Sequence, residues 1–304
     1  MNALRGISLK LGSVVLFVVM SAMIKATAPD VPAGEAVFFR SFFAMPVILL
    51  WLAQRHELST GLRTNDPVGH LWRGLIGVSA MGCTFAGLGL LPLPEVTAIG
   101  FAAPILTVLF GALLLGEKVR AFRMSAVAAG LIGVSIIVWP RLTLDDATRG
   151  AAMGVGLVLL ASVFRALVQI QLRRLVAKEE TSAIVFYFSL TSTLLALCTL
   201  PFGWVIPDAQ DAALLVAAGV IGGIAQILIT SAYRFGEAGL LAPFDYASMI
   251  FALILGYVVF GDVPTVWMLC GAAIVIASGV AIILRERHLG LKRGRTRAGM
   301  TPQG

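Results

Sequence analysis

Charge is scarce in this chain of 304 residues: 13% are Asp, Glu, Lys or Arg, where a soluble domain carries about 25%. With 59% hydrophobic residues, there is too little polar surface to cover soluble domains of this length. Histidine is almost absent, and His56, His70 and His288 fall in predicted loops or the tail. That excludes bis-histidine haem ligation and intramembrane zinc chemistry. Cys83, Cys198 and Cys270 stand alone in apolar runs, so neither a disulfide framework nor a metal cluster is indicated, and no cofactor is expected. Acids are rare at depth too. An intramembrane enzyme would need paired aspartates, an HExxH helix or a serine with a base, and none is present, so the chain is not read as an enzyme.

What is abundant is apolar sequence in runs of about 20 residues, the length that a hydrocarbon core requires. Ten helical spans are predicted near 7–28, 34–54, 71–91, 95–115, 120–139, 151–172, 181–203, 212–234, 239–260 and 263–284. Placing the amino terminus in the cytoplasm puts eighteen Lys and Arg on that side, Lys10 and Arg73 among them. Only Arg141 and Arg149 are left outside. Both termini are therefore expected to be cytoplasmic. The basic tail "RERHLGLKRGRTR" is expected to lie against anionic lipid headgroups, so the net charge of +7 does not signal nucleic-acid binding. Nine further spans argue against cleavage after the "ATA" at 26–28.

The chain also resembles itself. "RGISLKLG" at 5–12 returns as "RGAAMGVG" at 149–156, and "LLLGE" at 113–117 returns as "VVFGD" at 258–262. Five spans per copy turn the second copy upside down. Glu117 then closes the fourth span inside and Asp262 the ninth outside. The expected fold is all-α integral membrane: ten transmembrane helices as two inverted five-helix repeats (1–145 and 146–287) around a central cavity, with a cytoplasmic tail at 288–304.

"PLPEVTAIGFAAPILTVLFGALLLGE" (92–117), with its echo at 235–262 and "EAVFFRSFFAMP" in the second span, resembles the paired EamA domains of the drug/metabolite transporter superfamily. The resemblance covers about 5–285. It implies a bacterial inner-membrane permease for a small-molecule substrate, with spans 1, 3, 4, 6, 8 and 9 lining the cavity. Members include amino-acid exporters, other metabolite carriers and S-adenosylmethionine uptake proteins.

The membrane charges divide by depth. Arg40, about 9 Å from the outer end at 1.5 Å per residue, reads as an orienting anchor that snorkels toward Glu35 or Asp30, with substrate contact as the alternative. Lys25, nearer that end, reads the same way. Arg165 and Asp245 lie about 10 and 9 Å from the inner face, and matching depth with opposite sign suggests a pair. The pair would bind a zwitterion or serve as a static strut. Ser79, Thr107 and Gln226 fall at similar depth, while Ser162, Arg165 and Gln169 share one helix face, as do Gln226, Thr230 and Tyr233. Pro104 and Pro243 would open backbone beside the site. Phe101, Tyr246 and Met249 would supply an apolar wall or plain packing. The expectation is an exporter of amino acids or similar metabolites, with an uptake carrier or a passive channel as alternatives.

Overall fold

The computed structural model describes residues 3–58, 60–115, 121–141, 149–175, 179–235 and 241–298, and every regular element in it is helical. Among the described residues, nine stretches are long and apolar enough to cross a membrane: Leu4–Thr27, Ala33–Gln54, Pro67–Leu90, Leu93–Leu114, Met124–Arg141, Arg149–Leu172, Ala209–Ala232, Pro243–Phe260 and Val266–Arg285. The shorter apolar helix Ser182–Leu197 makes ten, numbered here as spans 1 to 10 in chain order, with Ser182–Leu197 as span 7. This is the all-α membrane architecture that the composition predicts. Large side chains such as Trp72, Leu113, Leu194, Ile254 and Val258 are exposed on the bundle, a surface suited to lipid rather than water.

Several span starts differ from the sequence reading by a few residues, and two of them matter. Span 3 begins at Pro67, four residues before the predicted start, because Asp66 caps it. Its Oδ1 accepts from Gly69 N at 2.8 Å, and proline at the first helical position loses no needed donor. His70, read as a loop residue, is consequently on the helix and buried at 3% exposure, and Arg73, counted with the inside charges, is buried there at 7%. Span 1 likewise begins before the predicted edge, and Lys10 is buried within it. Moving Lys10 and Arg73 into the membrane leaves sixteen basic residues in the expected inside segments, so the charge bias survives.

Three spans are interrupted, each at a proline. Span 2 divides into Ala33–Phe42 and Ala44–Gln54, with Pro46 downstream; span 4 divides into Leu93–Gly100 and Ala102–Leu115, with Pro104 downstream. Proline has no N–H, and its ring clashes with the carbonyl four residues earlier, here Phe42 and Gly100, so the α-helical ladder fails at those points. In span 9 the Ala242–Tyr246 segment is a 3-10 turn containing Pro243 before the helix Ala247–Phe260.

The packing partners follow a pattern of exchange. Span 1 packs along span 8 and span 6 along span 3; span 4 touches span 6 and span 9 touches span 1; spans 2 and 7 pair, as do spans 5 and 10. These are the contacts expected if swapping the first five spans with the last five maps the bundle onto itself. The 5–10 crossing is backbone on backbone: a Cβ added to Gly271 would lie 2.5 Å from the Gly133 carbonyl oxygen.

Candidate functional site

The interruptions of spans 4 and 9 face one another through their aromatic residues. Phe101, at the break in span 4, makes an edge contact with Tyr246, the last residue of the 3-10 turn, at 5.0 Å between ring centroids. Both rings are buried, and Met249, one helical step further, is buried with them. Behind Tyr246 stands Gly279 of span 10, where any Cβ would collide with the tyrosine hydroxyl.

A cation lies beside each break. Arg165 of span 6 donates from Nη2 to Thr84 Oγ1 of span 3 at 3.1 Å. Its Nη1 lies over Gly100, where a Cβ would approach to 3.1 Å, so the glycine leaves the guanidinium room. Lys10 of span 1 meets Asp245 at 2.6 Å. The ammonium is 1% exposed whereas the carboxylate is 49% exposed, so the acid presents one side to open space and the other to its cation. The expected ion pair of Arg165 with Asp245 is thus replaced by Lys10 with Asp245. Lys10 is six residues into span 1, about 9 Å from its inner end, although the charge count had placed it with the inside cations.

Of the other polar residues singled out in the sequence, Ser162 alone among the described residues is seen to touch the span 4 break, its hydroxyl lying 3.5 Å from the Ile99 carbonyl. Ser79 and Thr107 turn their hydroxyls back to Leu75 and Ala103 of their own helices, and Ser162 does the same to Val158. Ser79 also borders a separate, largely apolar crevice of about 400 Å³ with Gly34, Val37, Gly82 and Cys83. Gln226 is half-buried and Gln169 exposed. The Tyr233 side chain and Glu117 lie outside the described residues.

Two of the expected anchors, Lys25 and Asp262, bond inside the protein. Lys25 donates to the Leu91 carbonyl at 2.8 Å and lies over the Phe260 ring. This ties span 1 to the span 3–4 turn. Asp262 accepts from Leu93 N at 3.1 Å, capping span 4 from the far end of span 9. The preceding Gly261 adopts φ +66, a left-handed helix end that glycine takes without steric cost. The Gly-Asp pair of the repeated motif therefore ends one helix and begins another. Glu95 grips Arg141 through two bonds of 2.6 and 3.1 Å at the same end. Arg40 is the correction: it is 5% exposed and does not reach Glu35, whose carboxylate accepts from Val205 N instead. The break at Phe43 and the packing of span 2 on spans 7 and 8 turn it into the bundle.

At the opposite end, Glu179 ties the two halves together. It accepts from the backbone of Asn65 and Asp66 at 2.7 and 2.9 Å, and His70 Nε2 lies 3.4 Å away. Burial acts to raise its carboxyl, but those N–H groups, with His70 and Thr64, hold it below the usual glutamate range. Ser182 donates to Gly61 O and Tyr187 to Leu62 O alongside.

Comparison with known proteins fits this arrangement. The chain is 29% identical over 267 residues to the pseudopaline exporter CntI of Pseudomonas aeruginosa, covering 88% of this chain and 91% of that one. It is 26% identical over 284 residues to an S-adenosylmethionine uptake transporter of Rickettsia prowazekii, covering 93% and 94%. A solved crystal structure superposes with a TM-score of 0.65 at 21% identity over 93% of this chain and 98% of that one, a likeness of fold alone. The model of the EamA-like transporter family matches residues 4–139 and again 152–285. Two matches spanning nearly the whole chain, on a helical bundle with opposed charges at its broken spans, make this a membrane transporter of the EamA-like transporter family, not an enzyme.

Proposed function

We propose that this transporter exports amino acids or amino-acid-like metabolites by alternating access. The observation that carries the reading is the display of opposite charges at two facing helix breaks. Arg165, held by one bond to Thr84, offers the rest of its guanidinium to a carboxylate; Asp245, half exposed, offers its open side to an ammonium. Phe101 and Tyr246 stand between as an apolar wall, with Met249 behind. S-adenosylmethionine, carried by the Rickettsia relative, presents an α-amino-acid end of this kind. Export rather than uptake follows the Pseudomonas relative. The exchange of packing partners between the halves supports two inverted repeats, 1–145 and 146–287, rocking about this centre.

Counterflow tests the mechanism. Proteoliposomes preloaded with unlabelled amino acid should accumulate the labelled form transiently and saturably, whereas a passive channel would not. Absence of counterflow across an amino-acid panel would end the amino-acid reading.

The charge bias supports an inner-membrane placement with both termini cytoplasmic. In a cysteine-free background, an impermeant maleimide applied to intact cells should label Thr143→Cys and spare Thr296→Cys. The reverse pattern would invert the topology.

A further inference from the structure

We propose that Arg40 and Arg73 form a second binding site, away from Arg165 and Asp245, for an anionic oxygen group: a carboxylate or a phosphate. The two residues are 5% and 7% exposed, on spans 2 and 3. Their guanidinium groups lie over the same ring, Phe188 of span 7, at 5.8 and 4.4 Å from its centroid. Among the described residues neither forms an ion pair. Nε of Arg40, and Nε and Nη1 of Arg73, are buried with no acceptor.

Two like charges brought out of water against one ring repel each other and forfeit hydration, and the face of an aromatic ring offsets only part of that. The neighbouring acids are already committed. Glu35 accepts from Val205 N and Asp66 from Gly69 N, while Glu179 accepts from Asn65 and Asp66 N through Oε1 and turns Oε2 to His70 Nε2 at 3.4 Å. What the arrangement lacks is an acceptor carrying negative charge. Two planar forks present the donor geometry that a carboxylate or phosphate takes up in bidentate fashion. Ser192 Oγ, one helical turn past Phe188 on the same face, is also buried without a partner and adds a hydroxyl donor. Glycines hold the space. A Cβ on Gly77 would lie 2.6 Å from the Phe188 ring, and one on Gly222 would lie 3.4 Å from Arg40 Nε. The anion can be a free metabolite or a lipid headgroup, which share this chemistry. The site does not depend on which solute passes Arg165.

The test uses the full-length protein in nanodiscs of phosphatidylcholine, melted with and without inorganic phosphate or succinate, and in parallel nanodiscs doped with phosphatidylglycerol. Wild type should show a saturable rise in melting temperature with a soluble anion, which identifies a free ligand, or with phosphatidylglycerol alone, which identifies a headgroup. Arg40→Gln and Arg73→Gln should each weaken the effect about ten- to hundredfold in apparent affinity, as loss of a charged hydrogen bond does. Arg165→Gln should leave it intact. Without anion, Arg73→Met should melt no lower than wild type, since it removes an unmatched buried charge, and should show no anion response. Should the Gln variants fail to fold, Arg40→Lys and Arg73→Lys keep the charge, lose the fork and should respond only weakly. The proposal fails if no anion stabilises wild type, if the Gln or Lys variants respond as wild type does, or if Arg165→Gln abolishes the response. A melting point for anion-free Arg73→Met far below wild type would make Arg73 a strut and also defeat it.

Discussion

Asp245→Ala should sharply reduce the folded abundance of the transporter, and Lys10→Ala should do so much less. The asymmetry follows from burial. Removing the acid strips the carboxylate from an ammonium that is 1% exposed, while removing the lysine leaves a carboxylate that is 49% exposed and can hydrate. Breaking a fully buried pair costs about 3–5 kcal/mol, and the exposure of Asp245 places this loss toward the lower end of that range. Exchanging the charges as Lys10→Asp with Asp245→Lys should recover abundance, because the contact at 2.6 Å is kept. Exchanging Arg165→Asp with Asp245→Arg should not, because those two residues do not meet. Fluorescence-detected size exclusion of tagged variants, with melting temperatures in detergent, reads all four. If Lys10→Ala proves as damaging as Asp245→Ala, or the Lys10–Asp245 exchange rescues nothing, the pair does not have the role given to it here.

Arg165→Ala should abolish saturable counterflow at near-normal abundance, and Gly100→Leu should come close to doing the same without touching the arginine. A Cβ at residue 100 would sit 3.1 Å from Arg165 Nη1, a crowding of a few tenths of an ångström that the end of a flexible side chain can absorb. Gly100→Ala should therefore be mild. A leucine cannot be absorbed in this way, and it should push the guanidinium off Thr84 Oγ1, to which it donates at 3.1 Å. Arg165→Lys keeps the charge but loses the fork, so its KM should rise about tenfold or more with a smaller change in kcat, the pattern of lost substrate binding. Arg165→Ala with wild-type KM would remove Arg165 from the substrate's path.

The repeat and the breaks were legible because they are written in local chemistry. Pro104 and Pro243 interrupt a helix wherever they fall, since the missing N–H and the ring clash belong to proline itself. The Gly-Asp of span 9 was visible as a motif, but its action was not. That Asp262 caps Leu93 depends on two helix ends, 169 residues apart in sequence, meeting in space. Ser79 and Thr107 bond to their own helices, as an isolated hydroxyl in apolar surroundings commonly does, and their depth alone could not say what else they face.

By itself the sequence determined that this chain lives in a bilayer, crosses it about ten times and carries charge where charge is expensive, because hydropathy and the cost of burying an ion are sums over residues. The tertiary structure alone decided which charges meet. Depth along a helix follows from counting residues at 1.5 Å each. The azimuth of a side chain, and the neighbour that its helix packs against, do not. At one depth, Asp245 had both Arg165 and Lys10 within plausible reach, and the packing of span 9 against span 1 chose Lys10. The same ambiguity hid Arg40. Its distance from the outer end suggested water, whereas the pairing of span 2 with span 7 turned it inward, beside Arg73, onto the face of Phe188.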